Sequence, residues 1–109
     1  MKIRLLKVPK NTIINYGAVS HQTALAMVKG LKKITDSEIL LSVTGVAGPS
    51  GGTARTPVGC VFFGIGSKIN KKYTYKTAKK IFHEKTRFAI QKKSTEYAMY
   101  LILKELKKI

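Results

Sequence analysis

The chain has 109 residues, which is one domain's worth, and 44% of them are hydrophobic, as in an ordinary globular protein with a buried core. It carries 21 Lys and Arg residues against five Asp and Glu, for a formal net charge of +16. No apolar run is long enough to cross a bilayer, and one cysteine with two histidines forms neither a disulfide framework nor a Cys/His metal motif. The first ten residues are too interrupted by charge for a signal peptide, so we expect a cytoplasmic protein with no membrane partner.

The positive charge raises the question of a polyanionic partner. An excess of this size attracts nucleic acid. However, only Arg4, Arg55 and Arg87 are arginines, whereas base recognition and bidentate phosphate contacts rely on that residue. The lysines are scattered through every segment. The sequence therefore favours a solvated surface over a nucleic-acid-binding module, which remains an alternative.

The first half of the chain predicts two helices and a strand. Residues 2–7 resemble the last turns of a helix that ends before Pro9. A second helix is predicted after Ser20, an N-cap candidate, and fades by residues 33–34. The aliphatic run at 39–43 predicts a buried strand.

The second half predicts two more strands and a long helix. Residues 58–65 form an apolar strand, and residues 71–82 alternate weakly, as in a more exposed strand after a turn near Asn70. Tyr73 and Tyr75 lie among lysines there, and an exposed strand face is favoured over stacking on nucleic-acid bases. An amphipathic helix spans 86–108. Its apolar stripe comprises Ile90, Tyr97, Ala98, Leu101, Ile102 and Leu106. The element order predicts an α/β fold, a small sheet with helices packed on it.

The most distinctive segment is the glycine-rich loop at residues 44–59, between two predicted strands. Without Cβ atoms, its backbone N–H groups can approach an anion or a developing oxyanion closely. It lacks the Gly-Lys-Ser/Thr ending of a phosphate-binding P-loop, and the strand that follows it excludes a dinucleotide-binding fingerprint. A crossover loop whose glycines only make turns is the alternative.

Three segments resemble the CinA C-terminal domain family. The first is the run Thr44-Gly-Val-Ala-Gly-Pro-Ser-Gly-Gly-Thr with residues 57–59 (Pro-Val-Gly) after it. The others are Gly-Ala-Val-Ser at 17–20 and Thr-Glu-Tyr-Ala-Met at 95–99, which follows Arg87. The resemblance covers nearly the whole chain, so residues 1–109 are interpreted as one partial CinA C-terminal-like domain.

The resemblance implies a nicotinamide-nucleotide amidohydrolase, which converts nicotinamide mononucleotide to nicotinate mononucleotide and ammonia by a Ser–Lys mechanism without metal or organic cofactor. It implies Lys2 as the catalytic lysine. The implied substrate-binding residues are Thr44, Gly45, Gly48, Gly51, Gly52, Thr53 and Arg87.

The family's nucleophilic serine lies in a Glu-Ser-Cys-Thr-Gly-Gly motif that this sequence does not contain. The sequence therefore resembles a domain that begins partway through the family pattern. We expect an inactive chain on its own, with a complementing N-terminal fragment or a second copy as partner. Such a domain should expose apolar surface and an unpaired sheet edge. A non-catalytic remnant that still binds a nucleotide is the second alternative.

Overall fold

The described residues form a three-stranded sheet between two helices, which confirms the predicted α/β fold of a small sheet with helices packed on it. The computed structural model describes residues 19–35, 37–46 and 56–108. Helix α1 spans His21–Lys32 and helix α2 spans Arg87–Leu106, while the strands are β1 (Ile39–Gly45), β2 (Cys60–Ile69) and β3 (Lys72–Ile81). The predicted helix at 2–7 lies outside the described residues.

The sheet is antiparallel throughout, in the order β1-β2-β3. Asn70 and Lys71 join β2 to β3 with positive φ angles of 52° and 67°, as in the tight turns that match strand twist. This turn lies where the sequence predicts it. The glycine-rich loop joins β1 to β2, and these two strands are direct neighbours in the sheet.

Helix α1 covers one face of the sheet. Its N-cap is Ser20, as predicted, and the Ser20 side chain accepts a hydrogen bond from the Thr23 backbone N–H at 3.1 Å. The Ser42 hydroxyl of β1 donates to the Ala24 carbonyl of α1 at 2.7 Å. Opposite Ser42 in β2 stands Gly64, where a Cβ would collide with both Ala24 O and Ser42 Oγ. The missing side chain at this position lets the helix lie directly on the strands.

Helix α2 covers the other face. Thr86 caps it and its side chain accepts from the Ala89 N–H at 3.1 Å. The core under α2 is built around the fully buried Phe63. Its other buried members are Val61, Ile65, Phe82, Ile90, Ala98 and Leu101.

Three sequence-based predictions need correction. Within the part of the sheet that the structure describes, the strand predicted as buried at 39–43 lies at the edge, and its Val43 is 39% exposed. Leu106, assigned to the apolar stripe of α2, is 51% exposed, whereas the neighbouring Glu105 is buried. Glu105 lies four residues after the buried Leu101, so it shares the helix face that is turned to the sheet. The predicted strand at 58–65 also begins later, at Cys60, because residues 58 and 59 form a turn.

Glu105 anchors the C-terminal turn of α2 to the sheet. Its carboxylate accepts from the Ser67 hydroxyl of β2 at 3.0 Å and contacts Lys76 Nζ of β3 at 2.9 Å and Lys108 Nζ at 3.2 Å. Burial raises the pKa of this carboxyl, but the bonds from Lys76, Lys108 and Ser67 outweigh that effect. The net result is a lowered pKa.

This lowered pKa predicts an acid-sensitive stability. A carboxyl with a depressed pKa in the folded state stabilises the fold above its unfolded pKa of about 4.3, and that contribution disappears as the pH falls through the folded pKa. We expect Glu105→Gln to lose about 1–2 kcal/mol at pH 7, since hydrogen bonds to a charged group are lost. Urea unfolding from pH 7 to pH 3 should show wild type and variant converging at low pH.

Glu96→Gln is the matched control, since the Glu96 side chain is 55% exposed and its contact with Lys93 is 3.8 Å long. We expect it to change the free energy of unfolding by less than about 0.5 kcal/mol. A constant offset between wild type and Glu105→Gln across the whole pH range would contradict the role assigned to Glu105.

Candidate functional site

The two arms of the glycine-rich loop are joined at their base by backbone hydrogen bonds. Beyond the last residue of β1, the Val46 N–H donates to the Cys60 carbonyl at 3.0 Å, and the Gly59 N–H donates to the Val46 carbonyl at 2.6 Å. The Cys60 N–H donates to the Pro57 carbonyl at 3.0 Å, closing a turn in the second arm. The described ends of the loop thus form a stem that continues the β1–β2 ladder.

Gly59 is the residue on which this stem depends. Its φ is +93°, a conformation that L side chains rarely adopt. A Cβ at this position would collide with the Phe82 carbonyl, and the Gly59 carbonyl itself accepts from the Phe82 N–H at 2.9 Å. The stem is therefore packed against the end of β3 at a point where only glycine fits.

Thr44 and Gly45, the two described residues of the predicted loop site, face opposite sides of the sheet. Thr44 pairs with Phe62 and is 3% exposed on the α1 side. Gly45 pairs with Val61 on the α2 side, where a Cβ would come within 2.8 Å of Val61 Cγ2. The buried Thr44 side chain anchors the first arm of the loop on the α1 side. Gly45 is the exposed residue of the two, on the α2 side.

A groove of about 440 Å³ opens on the α2 side between β1 and α2. This volume is within the range of about 300–1,000 Å³ that small-molecule sites occupy. Gly45 forms part of its wall on the sheet side. Aliphatic side chains make up most of the rest: Leu41, Val43, Val61, Ile90, Ala98 and Ile102. The groove therefore lies directly below the root of the loop.

Arg87 stands at the N-terminal end of the helix that forms the other wall. It is the first residue of α2 and is exposed, and no acidic residue lies in this first turn. Residues four apart share a helix face, so Arg87 lies on the same side as Gln91, which lines the groove. The N–H groups of a helix N-terminus favour anions, and a guanidinium adds a bidentate donor for phosphate or carboxylate.

Sequence reasoning missed the polar part of the groove wall. Gln91, Ser94 and Thr95 line it, and the Ser94 and Thr95 hydroxyls donate to the carbonyls of Ile90 at 2.8 Å and Gln91 at 3.0 Å. Their hydroxyl oxygens keep acceptor capacity toward the groove. The spacing of these residues along α2 could have indicated them as one polar face.

The remaining predicted site residues are Lys2, Gly48, Gly51, Gly52 and Thr53, and all of them lie outside the described residues. Cys60 is fully buried, and burial raises the pKa of its thiol despite the nearby charge of Lys79. A buried thiol with a raised pKa is a poor nucleophile. Within the described ranges, no group of three His, Cys, Asp or Glu side chains could hold a metal ion. The two described helices include no segment that could span a bilayer.

A small α/β/α sandwich with a glycine-rich loop at the end of its edge hairpin matches a known family. The CinA C-terminal domain matches residues 1–106. A CinA-like protein of Petrotoga mobilis is 43% identical over 107 residues, which cover 98% of this chain. The chain belongs to the CinA C-terminal domain family.

Solved structures agree with this assignment. The competence/damage inducible protein CihA of Agrobacterium tumefaciens superposes with a TM-score of 0.83 at 30% identity, over 94% of this chain. The competence damage-inducible protein A of Klebsiella pneumoniae gives a TM-score of 0.84 at 26% identity, over 97% of this chain. The match spans 60% and 63% of those two chains, and 25% of the Petrotoga mobilis protein.

Proposed function

We propose that this domain is the substrate-holding part of an amidohydrolase that converts nicotinamide mononucleotide to nicotinate mononucleotide and ammonia. The observation that supports it most is the position of the loop stem: Gly45, at the described start of the glycine-rich loop, lies in the wall of the groove that residues 90–102 of α2 close on the other side. Membership of the CinA C-terminal domain family supports the reaction class, through the resemblance of the loop sequence.

The charged and polar parts of the substrate match the two sides of this site. The substrate phosphate would meet Arg87 and the N-terminal N–H groups of α2. The amide would lie under the loop, where Gly48, Gly51, Gly52 and Thr53 would offer backbone N–H groups to the oxyanion. The buried Thr44 would hold the first arm of the loop in place.

The proposed chemistry is nucleophilic amide hydrolysis. A serine oxygen attacks the carboxamide carbon and its proton passes to Lys2, whose amine serves as base when its pKa is lowered by its surroundings. The C–N bond then breaks, the nitrogen takes up the proton and leaves as ammonia. Water hydrolyses the resulting ester to release the carboxylate product. The serine must come from outside these 109 residues, since the sequence lacks the family's serine motif.

An open surface supports a partner that would supply this serine. Among the described strands, β1 lies at the edge of the sheet, with Val43 39% exposed beside the apolar groove. On α2, several large apolar side chains are more than half exposed: Phe88, Met99, Leu103 and Leu106. An unpaired edge beside an apolar helix face is a surface that pairs with a further strand and helix. We propose a complementary segment there, and a second copy of the chain as its alternative.

Binding without catalysis is the second candidate function. The same groove and the same loop arms would hold the nucleotide without a serine. Nucleotide binding therefore tests the shared part of both functions.

We expect Arg87→Gln to weaken binding of nicotinamide mononucleotide about tenfold in calorimetry, because a bidentate charged contact to the phosphate is lost. Lys92→Gln is the matched control, since it removes an exposed cation further along α2 and should change the affinity less than about twofold. Equal affinities for the Arg87 and Lys92 variants would contradict the assignment of Arg87 to the phosphate.

A further inference from the structure

A band of lysine and tyrosine side chains lies on the α1 side of the sheet, on the face opposite the groove. Tyr73 and Tyr75 are two residues apart on β3, so they share a face, and their rings stack with centroids 5.9 Å apart and planes 12° apart. Lys29 and Lys32 of α1 place Nζ 5.5 Å from the ring centroids of Tyr75 and Tyr73, and Lys68 of β2 lies 6.0 Å from that of Tyr73. We call these five residues the lysine–tyrosine strip.

The two rings of the strip are held in place by the fold. The Tyr73 hydroxyl donates to the Ser37 carbonyl at 2.6 Å. The Tyr75 ring lies over Gly66, where a Cβ would come within 3.1 Å of it. Cation–π contacts at exposed sites contribute about 0.5–1 kcal/mol each, so the rings restrict where the lysine ammonium groups lie. Fixed ammonium groups lose less side-chain entropy when they bind an anion.

The carboxylates of the described residues are unevenly divided between the two sides of the sheet. Three of the four described acidic residues, Glu84, Glu96 and Glu105, belong to α2 or to the segment before it. The fourth, Glu38, precedes β1, and Asp36 lies outside the described residues. Lys33, the C-cap of α1, and Lys79 of β3 extend the strip on the same side of the sheet, where Lys79 lies over the Phe62 ring. The strip therefore combines several lysines with a side of the sheet that the three carboxylates of α2 and its preceding segment do not share.

We propose that the lysine–tyrosine strip binds the phosphate backbone of single-stranded nucleic acid. Ammonium groups release counterions from phosphates, and tyrosine rings between them offer stacking for bases without reading their sequence. The strip contains no arginine, which is the residue that most often reads a duplex in the major groove. A single strand suits lysine and tyrosine together, because its bases are open to stacking. This inference is independent of the proposed amidohydrolase activity.

Fluorescence anisotropy of the full chain with a labelled 20-nucleotide oligodeoxythymidylate, at several salt concentrations, tests the proposal. We expect Lys29→Gln/Lys32→Gln/Lys68→Gln to weaken binding at least tenfold and to reduce the salt slope by about 2, since each phosphate contact contributes about 0.7 on a single strand. Circular dichroism checks that each variant is folded.

The matched control is Lys80→Gln/Lys92→Gln/Lys104→Gln, which leaves the same net charge. Lys80 and Lys104 also lie over tyrosine rings, at 5.3 Å from Tyr97 and 6.0 Å from Tyr100, on the α2 side. We expect this variant to keep most of the affinity. Equal weakening in both triple variants, or absence of wild-type binding at low salt, would overturn the proposal.

A second pair of variants tests the rings without changing charge. We expect Tyr75→Leu to bind the oligonucleotide at least threefold more weakly, because a stacking surface is lost and Lys29 loses its ring, whereas Tyr75→Phe should bind as wild type does. Equal affinities for the Leu and Phe variants would overturn the role of the ring. A 20-base-pair duplex bound more tightly than the single strand would overturn the choice of ligand.

Discussion

Gly59→Ala is expected to lower the free energy of unfolding by at least about 3 kcal/mol, because alanine is strained at a positive φ and its Cβ has no room beside the backbone of Phe82. The added Cβ would collide with the Phe82 carbonyl. Relief requires the end of β3 to move, which breaks the bond between the Phe82 N–H and the Gly59 carbonyl. The bond from the Gly59 N–H to the Val46 carbonyl, which closes the loop stem, would be distorted as well. Urea unfolding measures this loss as a lower midpoint.

Gly66→Ala is the matched control for this experiment, since it makes the same chemical change in the middle of β2. A Cβ at this position would lie 3.1 and 3.2 Å from two ring atoms of Tyr75. A small rotation of the Tyr75 side chain relieves this contact. We expect Gly66→Ala to lower the free energy of unfolding by less than about 1 kcal/mol, because the reduced freedom of the unfolded chain offsets part of the loss. A Gly59→Ala variant as stable as Gly66→Ala would show that the stem does not depend on this residue.

The local signals in the sequence predicted most of the fold. Ser20 caps α1, and Asn70 lies in the turn between β2 and β3, as their residue types indicate. Each of these features is set by a few neighbouring residues, and the backbone follows the same preferences in isolation as in the fold. For the same reason the boundaries of both helices agree with the prediction to within two residues.

Features that depend on distant partners were not predictable. The edge position of β1, which exposes Val43, follows from strand order rather than from its apolar sequence. Glu105 is buried because Ser67 of β2 and Lys76 of β3 bind its carboxylate. The clustering of lysines around Tyr73 depends on how α1 crosses the sheet, so the lysines look scattered in the sequence.

The candidate site remains a prediction. The glycine-rich loop directs attention to the end of the β1–β2 hairpin, and Gly45 lies in the wall of the groove there. Thr44 was grouped with Gly45, but alternation along a strand places its side chain on the opposite face. The groove itself was not anticipated, because it forms between β1 and a helix more than forty residues further along the chain.

The largest functional effect is expected when the proposed active site is completed. We expect this chain alone to release no ammonia from nicotinamide mononucleotide, because it has no nucleophilic serine in the family's motif. Co-expression with a second chain that carries the Glu-Ser-Cys-Thr-Gly-Gly segment of a family member should restore hydrolysis. That chain would pair with the edge of β1 in the described sheet and pack against the exposed apolar side chains of α2, which leaves the groove for the nucleotide.

Two controls separate assembly from chemistry. Replacement of the serine in that segment by alanine should leave the complex intact and abolish ammonia release, because the nucleophile is lost. Val43→Lys, which places a charge on the exposed edge of β1, should weaken the complex, since charged edges oppose strand pairing. A complex that forms equally well with Val43→Lys would place the partner elsewhere.

The most direct measurement is ammonia and nicotinate mononucleotide production from nicotinamide mononucleotide by the purified two-chain complex. The proposed function predicts equimolar formation of both products, dependent on the serine and weakened by Arg87→Gln through a higher KM. A folded complex that binds the nucleotide and yet forms neither product would contradict it.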